Sequence, residues 1–382
     1  MQRTAGKRIV SFLTGISILF AVAVFIGTGS MAEAQMYSQP VKAADYFYEM
    51  TFDDYREDTK LETLQLYNYS GCSIVRNGDF IGRNFDFWFN ENPVFLVRVK
   101  AKEGRHASVG MAIHFGMVEE KLLAGDYAEK LELLPNMTVD GINDAGVFCG
   151  ENIAPKFDTA EVTGTDPEGR SLHMFFVPRF VLDNASSADE AVQLLKTQNL
   201  YGSFCGYAYA HYMIADKDKT YIVEIIDNKV RAVEKKGNEQ VMTNFYCNLP
   251  KYPEHPAGLE RYEILQAAYD MGNTFDGMFA LLQKVKSSNE YDLTVHPHWY
   301  SETWLSLAKI NEPGFYAAYQ ETYRKNSHDY WEARKNDRRD EAQTRFWSQT
   351  IHNSTYDLAK KMLRVAVQEN YDRTFDYYLD EK

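Results

Sequence analysis

The stretch SGCSIVRNGDFIGRNFDF, residues 70–87, restricts the local fold more than any other part of the chain. Two alternating runs carrying Ile, Val and Phe flank Asn77-Gly78. Asn-Gly between such runs is a strong hairpin signal, because both residues tolerate the positive φ of a tight turn. With the turn centred there, counting outward sets Arg76 opposite Asp79, Val75 opposite Phe80 and Ile74 opposite Ile81. Ser73 then faces Gly82, and Cys72 faces Arg83. Directly opposed residues share a face of the sheet, so the hairpin brings a thiol to a guanidinium. A cation beside a thiol favours the reactive thiolate. Asp86 lies three residues beyond Arg83 and points to the other face of an undistorted strand. It joins them only if the strand bends or bulges.

The rest of the chain supplies strands and helices in blocks. Residues 35–70 are acidic and aromatic and read as one amphipathic helix and a short strand. VFLVRVKA and ASVGMAIHFG are apolar strands, and MTVDGINDAGVFCGENIAP places short apolar runs around Asp-Gly and Ala-Gly turns. Residues 174–198 read as helix, with Ser187 capping ADEAVQLLKTQ. From 206 to 244, four short strands joined by tight polar turns predict an antiparallel meander. Helix returns over 257–287 and in the charge-rich 315–345, and the tail STYDLAKKMLRVAVQE reads as two strands. Strand blocks and helix blocks together mean an α+β domain, with helices packed on antiparallel sheets.

The first residues read as export machinery. Arg3, Lys7 and Arg8 precede an apolar run from about Ile9 to Gly27, and Ala32 and Ala34 form a small-x-small cleavage site. We therefore expect a signal peptide over 1–34 and a secreted protein, membrane-anchored only if the signal stays uncleaved. No stable membrane insertion is expected after cleavage. A net charge of -13 argues against a nucleic-acid partner, since phosphate binding needs clustered Lys and Arg. The cysteines at 72, 149, 205 and 247 could form two disulfides in an exported chain, although their spacing shows no framework. No C-x-x-C or H-E-x-x-H is present, and HPH at His296 and His298 reads as a surface loop, so no metal and no cofactor is expected.

Cys72 has two readings on residue types alone. A free cysteine often only fills core space, and Arg83 with Asp86 could be an ordinary ion pair. Two features favour a nucleophile. Gly71 permits the unusual backbone geometry that attack on the preceding peptide bond requires. No histidine is paired with Cys72 in sequence, so the base must be another group. A free α-amine, with a pKa near ~8, can serve. Cys72 must then become the first residue of a processed chain.

CSIV followed by GRNFDF resembles the mature start of the choloylglycine hydrolase family, which includes bile salt hydrolases, penicillin V acylases, and the acid ceramidase and penicillin acyltransferase branches. INDAGVFCGENIAP, then YIVEIIDNKVRAVEKKGNEQVMTNF, then GLERYEIL resemble later segments of that family in the same order. The similarity covers most of 72–290, and 291–345 looks like an insertion or divergent helical segment. The resemblance implies a four-layer αββα sandwich of two antiparallel sheets, the N-terminal nucleophile hydrolase fold, over 72–382. It implies autocatalytic cleavage at Gly71-Cys72, with 35–71 a propeptide or a retained short chain. Cys72 is then the nucleophile and its amine the base. Arg83 and Asp86 position them, Asn152 and Asn244 match the oxyanion-side asparagines, and Arg261 matches a later active-site arginine. The implied substrate is a small N-acyl amide, conjugated bile acids first. Penicillin V, N-acyl amino acids, acyl homoserine lactones and fatty acyl amides are alternatives, as is acyl transfer. Phe85, Phe87 and Trp88 are candidates for an apolar acyl pocket. The family also suggests a homo-oligomer. A non-enzymatic exported binding protein with a structural Cys72 is the competing class.

Overall fold

The computed structural model describes residues 36–57, 71–87, 93–114, 117, 119–155, 171–202, 208–226, 229–248, 258–286 and 349–379. The expected signal peptide, Trp88, Cys205, the HPH loop and the segment 291–345 lie outside these residues, as does the side chain of Phe87. In chain order the first strands are β1 (Val41–Ala44), β2 (Phe47–Phe52), β3 (Ser73–Asn77), β4 (Phe80–Phe87), β5 (Val94–Val99), β6 (Ser108–Ile113), β7 (Thr138–Asn143) and β8 (Phe148–Pro155). They continue as β9 (Ser171–His173), β10 (Asn199–Tyr201), β11 (Ala208–Ala215), β12 (Thr220–Ile226), β13 (Lys229–Glu234), β14 (Val241–Met242), β15 (Gln349–Asp357), β16 (Met362–Val367) and β17 (Phe375–Tyr378). The helices are α1 (Glu119–Ala124), α2 (Ala128–Glu132), α3 (Val177–Asn184), α4 (Ala188–Lys196), α5 (Leu259–Ala267) and α6 (Phe275–Gln283).

Two sheets face each other. One has nine strands in the order β1-β2-β5-β6-β7-β8-β11-β12-β13, and the other six in the order β14-β3-β4-β15-β16-β17. Within them every pairing is antiparallel except β2 with β5. Side chains of both inner faces form one core, as where Phe148 of β8 meets Tyr356 of β15 edge to face at 4.9 Å. Helices α3 and α4 lie on the larger sheet, and α5 and α6 on the smaller. The architecture is the expected αββα sandwich. Ser187 caps α4 as the sequence indicates, accepting from the Glu190 amide at 3.1 Å.

Two local expectations are corrected and a third is met in part. Of the helix and short strand expected over 35–70, residues 36–57 supply two strands, and 58–70 lie outside the described residues. The reason is burial on both sides: Phe47 enters the inter-sheet core, while Tyr48, Met50 and Phe52 pack outward with Leu122 of α1 and Leu131 of α2. Strands buried on both faces are typical of parallel pairing. The last segment of the expected meander, β14, leaves the larger sheet and pairs with β3 in the smaller one. Finally, the hairpin turns at Gly78-Asp79, so Asn77 pairs with Phe80 and Ile74 with Arg83. Gly78 takes φ +60° at the first turn position, as a two-residue turn with Gly leading requires. Asn77 stays in the strand, and its side chain donates to the Tyr269 carbonyl at 2.9 Å.

A two-residue change of register keeps every side chain on its original face. Gly82 and Asn84 therefore face α6: a Cβ on Gly82 would fall 2.6 Å from Leu282, and Asn84 donates to the Leu282 carbonyl at 2.9 Å. Arg83 and Phe85 face the inter-sheet core.

Candidate active site

Cys72 sits at the entry to β3, with 1% of its surface exposed. Ile74, not Cys72, is directly opposite Arg83, yet the guanidinium still reaches the thiol along the diagonal. Its Nη2 lies 4.0 Å from Sγ, because same-face diagonal neighbours are within reach of a long side chain. Burial pushes the Cys72 thiol up to about 11; Arg83 draws it down and Asp86 pushes it up. In the uncleaved chain the sulfur is thus a protonated thiol at neutral pH.

Asp86 stays on the face that alternation assigns it, opposite Thr350. The irregularity lies in the neighbouring strand, where Ile351 is an extra residue between Thr350, opposite Asp86, and His352, opposite Phe85. Asp86 approaches Cys72 through its main chain: its carbonyl accepts from Gly71 N at 3.1 Å and lies 4.0 Å from Sγ. Its carboxyl accepts from Thr350 Oγ1 at 2.6 Å through Oδ1, while Oδ2 is buried with no hydrogen-bond partner among the described residues. Burial pushes this carboxyl up to about 7, against the pull of Arg261, Thr350 and Arg83.

Two further groups converge from the far side of the hairpin. The Cys72 amide donates to Asn244 Oδ1 at 3.0 Å. Arg261, from α5, donates through Nη1 to the Cys72 carbonyl at 2.5 Å and to Ser73 Oγ at 2.7 Å, and through Nη2 to Asn244 Oδ1 at 2.6 Å. Gly258 opens the helix with φ +78°, and a Cβ there would fall 2.7 Å from Arg261 Nη2. Asn244 is itself held by donation from Nδ2 to the Ile153 carbonyl at 2.7 Å.

Asn152 stands one step away. Its Nδ2 donates to the carbonyls of Met242 at 3.1 Å and Thr243 at 3.0 Å, so both protons are engaged in this state. Two residues not singled out in the sequence hold the same loop. His211 Nε2 lies 2.8 Å from the Thr243 carbonyl, and the fully buried Glu224 accepts from Cys247 N at 2.6 Å and Asn248 N at 2.9 Å. Asn152, His211 and Glu224 thus fasten the main chain that carries Asn244. Phe85 is buried, with the Arg83 guanidinium 4.6 Å from its ring centroid and His352 stacked on it at 5.1 Å.

The largest omission of the sequence reading is Asp140. This carboxylate on β7 accepts from Arg83 Nη1 at 2.8 Å, from His352 Nε2 at 3.0 Å, from Ser354 Oγ at 2.8 Å, and from Tyr356 Oη. Burial alone pushes it up, but Arg83 and His352 beside it bring it down to about 2. A signal was present: His352, Ser354 and Tyr356 alternate on one face of an otherwise buried strand, which marks a buried polar network. Cys72, Cys149 and Cys247 carry free thiols. Among the described residues no group of three or more acidic, His or Cys side chains is placed to hold a metal, and no helix is long and apolar enough to cross a membrane.

No curated protein matches the chain. A variant of the conjugated bile acid hydrolase from Clostridium perfringens aligns with 81% of this chain and 92% of its own, at 14% identity and a TM-score of 0.49. Penicillin V acylase from Agrobacterium tumefaciens aligns with 80% of this chain and 86% of its own, at 14% identity and a TM-score of 0.47. The acyl-coenzyme A:6-aminopenicillanic acid acyl-transferase family model matches residues 134–372, more than half of the chain. That match takes in Asn152, Asn244 and Arg261 and begins after the Cys72 hairpin. The chain belongs to the acyl-coenzyme A:6-aminopenicillanic acid acyl-transferase family, one of the branches that the sequence resemblance embraced.

Proposed function

We propose that this protein is an exported N-terminal nucleophile enzyme that cleaves the C–N bond of linear N-acyl amides. One observation carries the reading. Cys72 is the residue on which Arg83, Asn244 and Arg261 converge, from β4, from the loop after β14 and from α5. A space-filling cysteine has no use for three polar groups aimed at its sulfur, its amide and its carbonyl.

In the proposed maturation, Sγ of Cys72 attacks the Gly71 carbonyl carbon. The Gly71–Cys72 C–N bond breaks, leaving a thioester and a free amine. Water then hydrolyses the thioester, which frees the Gly71 carboxylate and restores the thiol. The new α-amine keeps Asn244 Oδ1, the acceptor of the Cys72 amide, beside it, and Asp86 approaches through the main-chain carbonyl that accepts from Gly71 N. In turnover this amine takes the thiol proton, and the thiolate attacks the substrate carbonyl. The second N–H of Asn244 Nδ2 serves the developing oxyanion, and Asn152 steadies the loop that carries Asn244. The amine returns the proton to the leaving nitrogen, and water releases the acyl group. An amine or other acceptor in place of water gives acyl transfer, the activity in the family's name.

The segment 35–71 is proposed to stay bound after cleavage, because β2 lies within the nine-stranded sheet and buries Phe47, Tyr48, Met50 and Phe52. Conjugated bile acids are the first substrate to assay, with penicillin V, N-acyl amino acids and fatty acyl amides beside them. The test is a panel of these amides against the purified protein and its Cys72→Ala variant. The proposal requires turnover of at least one amide by the former and none by the latter; retained hydrolysis in the variant sinks it.

A further inference from the structure

We propose that Asp140 and His352 are positioning residues for Arg83, setting the guanidinium so that Nη1 faces away from the nucleophile and Nη2 faces its sulfur. The inference rests on the reading of Cys72 as nucleophile and adds to it two residues from outside the hairpin.

Arg83 has no exposed surface, and its two terminal nitrogens are held while Nε has no hydrogen-bond partner among the described residues. Nη1 is taken by Asp140 Oδ2 at 2.8 Å. Nη2 donates to the Glu151 carbonyl at 2.7 Å and lies 4.0 Å from Cys72 Sγ. The Glu151 carbonyl limits rotation of the fork at Nη2, and the Asp140 end keeps some freedom about the carboxylate. His352 restricts that remaining freedom in two ways. Its Nε2 shares Oδ2 with Arg83, lying 3.0 Å from the oxygen and 3.3 Å from Nη1, so only one approach to Oδ2 remains for the guanidinium. Its ring also lies almost parallel to Phe85, at 10°, and Phe85 is the surface on which the guanidinium rests.

The carboxylate accepts and cannot donate, so Nε2 carries the imidazole proton and Nδ1 has none. Nδ1 is buried with no partner among the described residues. Burial holds the ring below its usual pKa, with Asp140 opposing and Arg83 assisting. His352 is therefore a neutral donor, and the cluster contains one full ion pair. All four donors to Asp140 come from β4 and β15 of the smaller sheet, while Asp140 itself comes from β7 of the larger. The contact that aims Arg83 is thus also a peg between the sheet carrying Cys72 and the sheet carrying Glu151 and Asn152.

The charged and titratable groups around the sulfur are Arg83 and Asp86 from β4 and Arg261 from α5, with Asp140, Glu151 and His352 behind Arg83. Arg83 draws the thiol toward ionisation most strongly, ahead of the Asp86 main-chain contact and Arg261. Misplacing Arg83 therefore lowers the reactivity of Cys72.

The experiment reads the rate of Cys72 alkylation by iodoacetamide in the full-length chain at pH 8. The Cys72 peptide is quantified by mass spectrometry, with peptides spanning Gly71–Cys72 and peptides beginning at Cys72 counted separately. Arg83→Met is expected to slow alkylation on the order of tenfold, the loss of one unscreened charge at short range. His352→Phe keeps the stacked ring and loses the N–H, and is expected to slow it several-fold. His352→Gln restores a donor to Asp140 and recovers most of the rate. In the Arg83→Met background, His352→Phe has no further effect, because its target is gone. A wild-type rate in folded His352→Phe overturns the proposal, and so does an equal further loss in the Arg83→Met background. Asp140→Asn alone strands a buried guanidinium and is open to unfolding. The neutral pair Arg83→Met with Asp140→Asn avoids this, and there too adding His352→Phe must change nothing. Hydrolysis by Cys72→Ala would remove the nucleophile reading itself. If Cys72→Ala is inactive and His352→Phe reacts like wild type, the failure belongs to the present inference alone.

Discussion

The amide nitrogen of Cys72 donates to Asn244 Oδ1 at 3.0 Å, and Arg261 holds that same oxygen at 2.6 Å while holding the Cys72 carbonyl at 2.5 Å. The bond before this nitrogen is the one proposed to break. Its departing atom is therefore already in a hydrogen-bonded position before cleavage. Asn244→Ala is expected to lose that anchor and one oxyanion donor together. Amide hydrolysis should fall about a hundredfold or more, and the uncleaved chain should accumulate. Steady-state rates and the fraction of uncleaved chain on a denaturing gel read both effects.

Gly258→Ala tests the placement of Arg261. The added methyl meets Arg261 Nη2 at 2.7 Å, at a residue with φ +78°. Backbone strain of about 1 kcal/mol or more is expected, together with slower cleavage at Gly71-Cys72. Urea unfolding and a cleavage time course measure the two; unchanged cleavage would separate Arg261 from maturation.

Asp86 gives the uncleaved chain a pH signature. Its carboxyl titrates at about 7 when folded and at about 4 when unfolded. Between these values the folded state holds the proton more tightly. This group's contribution to stability therefore falls as pH rises from about 4 to about 7, and is level above that. In a Cys72→Ala background, which does not cleave, adding Asp86→Asn should remove that part of the fall. Urea midpoints from pH 4 to 8 report it. Asp140 acts in the opposite sense. Held at about 2, it stabilises the fold above pH 4, and that contribution is lost as pH drops toward 2.

The N-terminal segment should behave as part of the folded body. Phe47 is buried in the inter-sheet core, and Tyr55 Oη donates to Asp183 on α3. Phe47→Ala is expected to cost about 3–5 kcal/mol. After cleavage at Gly71-Cys72, the fragment carrying β1 and β2 should coelute with the larger chain in size exclusion and separate only in denaturant.

Legibility from sequence followed the range of the interactions. The hairpin, the Ser187 cap and the α+β order are local, and each was readable from residue spacing. Cys72, Arg83, Asn244 and Arg261 were picked out by their place in motifs, and the structure brings all four together. The hairpin register was two residues off because Asn77 is engaged by Tyr269, a partner far away in the chain. One short strand was readable in 35–70; that there are two, with β2 seated beside β5, depends on a pairing across the hairpin that no local window contains. Asp140 and His352 were missed because their meeting depends on how two sheets lie face to face, which no window along the chain contains. Asp86 was read correctly as facing away from Arg83, and its route to Cys72 runs through its own main-chain carbonyl.

The central claim is that Cys72 becomes a chain terminus. Intact mass and N-terminal sequencing of the purified protein test it most directly. The account predicts a large chain beginning at Cys72, accompanied by the fragment that precedes it, and a single uncleaved chain for Cys72→Ala. An active wild-type protein that remains uncleaved at Gly71-Cys72 would contradict it.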